Sequence, residues 1–146
     1  MGVSESPNAA TLMFIAHRAM ESRVMDAVAA DGAADITLAQ SRLMQRLDPR
    51  GMRLTDLAEQ ARVTKQTAGE LIGQLERAGY VQRRPDPADA RARLVNLTDK
   101  GVALCRTASA EVAKVEAEWR NHLGDNAFDH MHAALLALRE ITDPYR

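Results

Sequence analysis

Several stretches of the chain repeat apolar side chains at steps of three and four residues, the spacing that places them on one face of a helix. The first stripe consists of Met13, Ala16, Met20, Val24 and Ala27. The breaker pair Asp31-Gly32 follows it. A second stripe consists of Ile36, Ala39, Leu43 and Leu47. Turn formers occupy residues 48–51, so the pattern predicts two amphipathic helices in the first third of the chain.

Two short helices are predicted next, joined only by residues 62–64. Thr55 is a good N-cap for the first, which runs to about Ala61, and Thr64 can cap the second. Gly79 supplies the left-handed residue that commonly closes a helix. Because so short a link cannot reverse the chain, the two helices must cross steeply, which is the helix-turn-helix arrangement.

A hairpin is predicted after these helices. Residues 80–84 and 93–97 are strand-like runs, and residues 85–92 between them are rich in turn formers and charge. Two prolines within three residues cannot join a ladder, so we expect residues 85–92 to form a protruding loop. A helix-turn-helix followed by such a hairpin is a winged helix.

Two long helices are predicted at the end of the chain, the first capped by Thr98 with Asp99 behind it. The apolar stripe of the first is Val102, Cys105, Ala108, Val112, Val115 and Trp119. That of the second is Phe128, Met131, Leu135 and Leu138. Neither terminal segment has a place in a compact winged unit. We therefore expect the first helix and the last two to pack together, with a second copy of the chain completing their core.

The predicted fold class is mainly α with a small β-hairpin wing, a winged helix-turn-helix lobe plus a helical dimerisation region. Residues 1–35 are expected to form a leader and a dimerisation helix, residues 36–101 the DNA-binding lobe, and residues 102–146 the C-terminal dimerisation helices. A length of 146 residues suits this as one intertwined domain. Only five residues are aromatic, which favours helices over a sheet-rich fold.

The formal net charge of -1 hides an uneven distribution. Residues 50–106 hold eleven basic and seven acidic side chains, a local charge of +4, and the rest of the chain carries -5. Phosphate contacts need only a local basic face, because screening at physiological salt limits the reach of distant acids to about 8 Å. An ordinary solvated surface is the alternative interpretation of the charge excess alone. Its coincidence with the helix-turn-helix and the hairpin favours double-stranded DNA as a partner.

Candidate DNA-contacting side chains lie on the second short helix and on the hairpin. Those on the helix are Thr64, Lys65, Gln66, Thr67 and Glu70. Gln66 has the paired donor and acceptor that match adenine, and Lys65 could reach guanine or a phosphate, although plain helix surface is the alternative. Those on the hairpin are Arg83, Arg84, Asp89, Arg91 and Arg93. We expect Arg91 and Arg93 at or beside the hairpin tip, where a guanidinium could enter a narrow minor groove, with Asp89 pairing with an arginine to fix its direction.

The segment from Thr64-Lys65-Gln66 to Tyr80-Val81 resembles the recognition helix of the MarR family of bacterial transcription regulators. Residues 84–101 are similar to that family's wing, with Asp-x-Arg and Leu-Thr-x-x-Gly elements at matching spacing. The resemblance implies a homodimer that binds a pseudo-palindromic operator, usually as a repressor, and releases it when a small phenolic or lipophilic compound binds. It also implies that Arg91 is the wing arginine and Asp89 its orienting partner. Two departures are Glu70, where many relatives carry a basic residue, and Gly69, a poor helix former.

An effector pocket is expected between the first two helices, the long seam helix and the lobe, with four candidate residues: His17, Met20, Met44 and Trp119. Met and Trp at helical spacing are more often core. Cys105 falls on the seam and is expected to be a buried structural thiol rather than an oxidant sensor. His130 and His132 point to different sides of a helix, so no metal site is expected, and no cofactor is implied.

The sequence therefore predicts a ligand-responsive, DNA-binding transcription regulator that acts as a homodimer. The alternative is a dimeric winged-helix module for protein interaction with weak or no DNA readout, which Glu70 favours. No nucleophile–base pair, phosphate loop or metal-ligand cluster indicates an enzyme. No run approaches the roughly 18 apolar residues of a membrane span, the polar start lacks the features of a secretory signal, and the single cysteine fits a reducing compartment. We expect a cytoplasmic protein with no membrane partner.

Overall fold

The structure is a computed structural model that describes residues 6–145. The leader expected at the start of the chain lies largely outside these residues. Six α-helices and a two-stranded antiparallel sheet follow one another in the described part. They are α1 (Ala9–Val28), α2 (Leu38–Met44), α3 (Leu54–Ala61), α4 (Lys65–Arg77), β1 (Val81–Asp86), β2 (Asp89–Leu97), α5 (Asp99–Leu123) and α6 (Asp125–Thr142). The predicted fold class, mainly helical with a small hairpin wing, is confirmed.

The first two helices lie close to where the sequence predicts them. Asn8 caps α1 by accepting the backbone N–H of Thr11 at 2.9 Å. Helical geometry continues through a π-helical segment, Ala29–Ala33, which Gly32 interrupts at φ +98°, so the predicted break is confirmed. Helix α2 is shorter than predicted, because it ends at Met44 and leaves Leu47 in the turn that follows, where its side chain is buried.

The helix-turn-helix is confirmed, but the predicted cap of its first helix is wrong. Helix α3 begins at Leu54, so Thr55 lies inside the helix and Arg53 occupies the cap position without a side-chain hydrogen bond. The start is fixed from outside, because Met52 pairs with Val95 of β2 through two backbone hydrogen bonds of 3.0 and 2.8 Å. The predicted cap of α4 is confirmed, since the Thr64 hydroxyl accepts the backbone N–H of Thr67 at 3.0 Å.

The hairpin is longer than predicted, and its loop is correspondingly shorter. Strands β1 and β2 extend through most of residues 85–92, so the expected protruding loop is wrong, and only residues 87–88 form the turn. Pro85 pairs with Arg93, and the register shifts immediately after Pro85. Proline is tolerated on an edge strand or at a bulge, and β1 lies at the edge of the two-stranded sheet. Proline at such a position therefore does not end the strand.

The junction between the lobe and α5 explains the Leu-Thr-x-x-Gly element. The backbone N–H of Thr98 donates to the carbonyl of Tyr80 at 3.0 Å, and the Thr98 hydroxyl contacts the carbonyl of Gly79 at 2.5 Å. The same hydroxyl caps α5 by accepting the N–H of Gly101 at 3.2 Å. A Cβ atom on Gly101 would overlap the Tyr80 carbonyl oxygen, so only glycine lets α5 approach the lobe this closely.

The core joins α1, the lobe and α5, while much of the apolar surface at the two ends of the chain stays exposed. Helix α5 packs against α1 and α6. Within this single chain, several large apolar side chains of α1, α5 and α6 are 43–85% exposed. They are Leu12, Met13, Phe14, Ile15, Leu123, Leu135, Leu136, Leu138 and Ile141.

Candidate nucleic-acid interface

A concave groove of about 360 Å³ lies between the helix-turn-helix and the wing. Five basic side chains line it, from the residue before α3, the first turn of α4 and the hairpin. The residues that line it are Arg53, Leu54, Thr55, Lys65, Arg83, Arg91, Ala92, Arg93 and Val95. Five cationic groups around one open groove create a local positive potential suited to a polyanion.

Four of the predicted contact residues therefore meet in one place. Lys65 enters the groove from the first turn of α4, while Arg83, Arg91 and Arg93 enter it from the hairpin. Lys65 precedes Arg83, the first of these arginines, by 18 residues in the sequence, and the fold brings them together. We call this set, with Arg53, the basic groove.

The other predicted residues of α4 lie exposed beside the basic groove. Thr64, Gln66, Thr67 and Glu70 all present their side chains to solvent. The hydroxyls of Thr64 and Thr67 are 3.0 Å apart and belong to the helix cap. The Gln66 amide nitrogen lies 3.5 Å from a carboxylate oxygen of Glu70. Glu70 thus lies next to the side chain predicted to contact a base, so its carboxylate can affect that side chain directly.

Asp89 contacts the backbone of Arg91, whereas the sequence predicted that it pairs with an arginine side chain. The Asp89 carboxylate accepts the backbone N–H of Arg91 at 3.0 Å, so it fixes the chain at Arg91 rather than the guanidinium. The nearest guanidinium is that of Arg53, 3.9 Å from Asp89. Arg91 also lies three residues beyond the turn, inside β2, and not at the tip itself.

Arg84 does not join the basic groove. Successive side chains of a strand point to opposite faces, so Arg83 and Arg84 are directed apart. The guanidinium of Arg84 donates to the carbonyl oxygen of Arg50 at 2.7 Å, which ties β1 to the turn before α3. Arg83 lies 3.9 Å from Glu76 of α4.

Arg53 is a groove residue that the sequence argument missed. Its Nε and Nη2 atoms both donate to one carboxylate oxygen of Asp86, at 3.0 and 2.9 Å. The backbone N–H of Ala88 and then Arg53 hold the pKa of Asp86 below its ordinary value. The only signal in the sequence was a basic residue directly before a predicted helix, inside the region of positive local charge.

A separate cavity of about 440 Å³ lies between α1, α2 and α5. Three of the four candidate effector residues, His17, Met20 and Met44, line it. Trp119 does not, but it lines a neighbouring apolar cavity of about 460 Å³ between α1, α5 and α6, which also includes His17 and Met20. We call the first of these the interhelical cavity.

Cys105 also lines the interhelical cavity, which the sequence argument did not foresee. Its side chain is half-buried rather than fully enclosed. Burial raises the pKa of the thiol, so the thiolate that would react with oxidants is disfavoured.

An ion pair lies at the polar edge of the interhelical cavity. Arg42 of α2 donates from Nε and Nη2 to the two carboxylate oxygens of Glu21 of α1, at 2.8 and 2.9 Å. His17 lies 3.5 Å from the same carboxylate. The hydrogen bonds from Arg42 lower the pKa of Glu21 despite the opposing effect of burial. The pair ties α1 to α2.

Residues 6–145 contain no helix long and apolar enough to cross a membrane. Over the same range, no group of three or more His, Cys, Asp or Glu side chains is arranged to hold a metal ion.

Comparison with known proteins gives consistent matches. The profile of the MarR family matches residues 34–92. Transcriptional activatory protein BadR of Rhodopseudomonas palustris is 34% identical over 93 residues, which make up 64% of this chain and 52% of BadR. Transcriptional regulator HosA of Escherichia coli O111:H- is 34% identical over 90 residues, 61% of this chain and 67% of HosA. The matched region thus spans about half of one relative and two thirds of the other.

Among solved structures, a MepR variant of S. aureus bound to an oligodeoxyribonucleotide superposes with a TM-score of 0.61 at 21% identity. The match covers 92% of this chain and 98% of that one. At this identity the likeness concerns the fold, and it extends over nearly the whole of both chains.

Proposed function

The chain belongs to the MarR family of transcription regulators, and we propose that it is a homodimeric, ligand-responsive regulator that binds a pseudo-palindromic DNA operator. The basic groove is the observation that carries the proposal. It unites five cationic side chains from two sequence-distant parts of the lobe, beside the exposed first turn of α4, which bears polar groups. The DNA-bound MepR structure has the same fold, which supports DNA as the partner over a protein.

Different residues of the lobe bind the DNA phosphates and the base edges. Lys65 and the wing arginines bind phosphates, and Arg91 is also long enough to enter a minor groove. Gln66 reads a base edge in the major groove, with adenine the best match for its amide. Glu70 limits how the Gln66 amide turns, because the amide nitrogen lies 3.5 Å from its carboxylate.

A second copy of the chain covers the exposed apolar surface. Large apolar side chains exposed in this number on an isolated chain mark an interaction site. On α1 alone, Leu12, Phe14 and Ile15 are 52%, 57% and 43% exposed, and these side chains project in different directions around the helix. Within residues 6–145, α1 and the helices after residue 101 then form the dimerisation region, and residues 36–101 the DNA-binding lobe. Light scattering should give twice the 16.0 kDa of one chain at micromolar concentration; a monomer would contradict the dimer.

The interhelical cavity is the proposed effector site. Its lining is largely apolar, with Met20, Val24 and Met44 at the walls and His17 and Glu21 at the polar edge. This suits a small lipophilic or phenolic compound whose hydroxyl bonds to the polar edge. Trp119 belongs to the neighbouring cavity, so we do not include it in the site.

The family resemblance favours a repressor, whereas BadR is named a transcriptional activatory protein. A promoter–reporter assay with and without the protein shows directly whether it represses or activates transcription. A cytoplasmic location stays a prediction of the sequence.

Selection of bound DNA from a random pool tests the proposal most broadly. The expected result is an enriched motif with two inverted half-sites about one helical turn apart. If no motif is enriched, and if any residual binding to DNA does not weaken as salt rises, the protein-interaction alternative is supported instead.

A further inference from the structure

Gln40 of α2 is the one buried polar side chain among residues 6–145, with 8% of its surface exposed. Both ends of its amide are engaged. Its Oε1 atom accepts the backbone N–H of Thr37 at 3.0 Å, and its Nε2 atom donates to Oε1 of Gln74 in α4 at 2.8 Å. The Thr37 hydroxyl accepts the backbone N–H of Gln40 at 3.2 Å, which completes a capping box at the start of α2.

The capping box decides which way the Gln40 amide faces. A backbone N–H can only donate, so the amide must turn its oxygen toward Thr37 and its nitrogen toward α4. Gln74 must then present an acceptor. Gln74 itself is exposed, and the core side chains of the two helices, Leu43, Ile72 and Leu75 among them, are apolar. Apolar contacts are non-directional, whereas the buried Gln40 amide needs an acceptor, so its bond to Gln74 favours one rotation of α4 on α2.

Gln74 lies on α4 beyond Gln66 and Glu70, toward the C-terminal end of the helix. Gln66, Glu70 and Gln74 are spaced four residues apart, which places them along one side of the helix. Helix α2 is itself tied to α1 through Arg42 and Glu21. One connection from the proposed dimerisation region to the reading surface therefore runs through α2 and the Gln40–Gln74 bond, beside the junction of α5 with the lobe.

We infer that Gln40 is a positioning residue for DNA reading, which acts through Gln74 to hold α4 at the angle that the half-site spacing of the operator requires. The inference rests on the proposed function. Neither glutamine is proposed to contact DNA. Their hydrogen bond determines how precisely the dimer matches the distance between the two half-sites.

The test compares five variants on two DNAs: Gln40→Met, Gln40→Met combined with Gln74→Met, and three others. Gln74→Met removes the acceptor and keeps the length of the side chain, Gln74→Glu keeps an acceptor, and Gln82→Met is the matched control. Gln82 is exposed on β1 and makes no side-chain hydrogen bond within the described chain. The DNAs are the operator selected from the random pool and the same operator with one base pair inserted between its half-sites. Binding is followed by fluorescence anisotropy and folding by thermal melts.

Wild type, Gln74→Glu and Gln82→Met should all discriminate between the two DNAs. Gln74→Met should bind the selected operator about three- to tenfold more weakly and should discriminate less, as loss of one directional hydrogen bond implies. Gln40→Met should reduce discrimination at least as much, because it also removes the acceptor of the Thr37 N–H, and adding Gln74→Met to it should cause no further loss. Unchanged discrimination by Gln74→Met, with only its melting temperature lowered, would overturn the inference and leave the proposed function standing. Equal losses for Gln74→Glu and Gln74→Met would also overturn it. Absence of DNA binding by the wild type would overturn both.

Discussion

Arg53 and Asp86 join the helix-turn-helix to the wing through a bond made by two nitrogens to one oxygen. The guanidinium at the start of α3 donates from Nε and Nη2 to the same Oδ2 atom of the wing carboxylate, at 3.0 and 2.9 Å. Asp86 is largely shielded, with 10% of its side chain exposed, whereas Arg53 is 43% exposed. The pair therefore fixes one wall of the basic groove relative to the other and leaves the cationic edge of Arg53 open to solvent.

Replacing Asp86 should reduce specificity more than affinity. Asp86→Ala frees both the wing and Arg53, but it also removes a negative charge beside the groove, which favours phosphate binding in general. We expect the ratio of affinities for selected and unrelated DNA to fall about tenfold, the scale of a charge-assisted hydrogen bond. Competition gel shifts measure this ratio. Asp129→Ala, which removes a surface carboxylate of α6 paired with Arg120, should leave it unchanged, and an unaltered ratio in Asp86→Ala would contradict the role.

Gly101 and Gly69 should respond to alanine in opposite directions. A methyl group on Gly101 meets the backbone carbonyl of Tyr80, which cannot move without opening the junction between the lobe and α5. We expect Gly101→Ala to lower the free energy of unfolding by about 1–3 kcal/mol or more. The nearest atom to a methyl group on Gly69 is a Leu54 side-chain carbon at 3.7 Å, so Gly69→Ala should raise it by about 1 kcal/mol through helix propensity. Urea denaturation measures both, and equal effects would contradict the packing argument.

The ion pair of Glu21 with Arg42 should make stability sensitive to acid. The pKa of Glu21 is lowered in the folded chain from the ordinary 4.5, so the carboxylate contributes its full stabilisation above about that pH. The contribution is lost as the pH falls through the folded value. Glu21→Gln should therefore be less stable than wild type at pH 7, with a difference that shrinks toward pH 3.

Thermal melts between pH 3 and 7 check this expectation. Glu140→Gln, an exposed carboxylate of α6, should follow the wild-type curve throughout. A Glu21→Gln variant whose deficit stays constant as the pH falls would show that the charge of Glu21 is not what stabilises α1 against α2.

Cys105 should behave as an unreactive thiol. Burial raises its pKa, so at neutral pH the folded chain holds even less thiolate than an exposed cysteine would. Alkylation by iodoacetamide should be much slower in the folded chain than in urea. Mild peroxide should leave DNA binding intact in the wild type. Loss of binding in the wild type but not in Cys105→Ser would identify an oxidant sensor instead.

Sequence periodicity was sufficient to predict the helices and strands but not the residues at which each begins and ends. The Thr64 and Thr98 caps are local devices within three residues of their partners, so they were visible in the sequence. The start of α3 was not, because the Met52–Val95 bridge that fixes it joins positions 43 residues apart. The extent of the hairpin was missed for a different reason, since proline at Pro85 is compatible with an edge strand.

The candidate site divides in the same way. Residue type and local charge identified Lys65, Arg83, Arg91 and Arg93, all of which line the basic groove. They could not identify Arg53, whose place depends on Asp86 across 33 residues, nor exclude Arg84, whose direction depends on strand alternation. Trp119 shares the stripe of Cys105 but lies 14 residues further along α5, which carries it to a different cavity.

The salt dependence of binding to the selected operator tests the central claim most directly. If the basic groove binds phosphates, the affinity of the wild type should fall steeply as salt rises, with a linear plot of log affinity against log salt. Arg91→Ala should keep the dimer, bind more weakly and lower the slope of that plot by about one. A wild-type affinity that does not change with salt, or an Arg91→Ala variant with the wild-type affinity and slope, would contradict it.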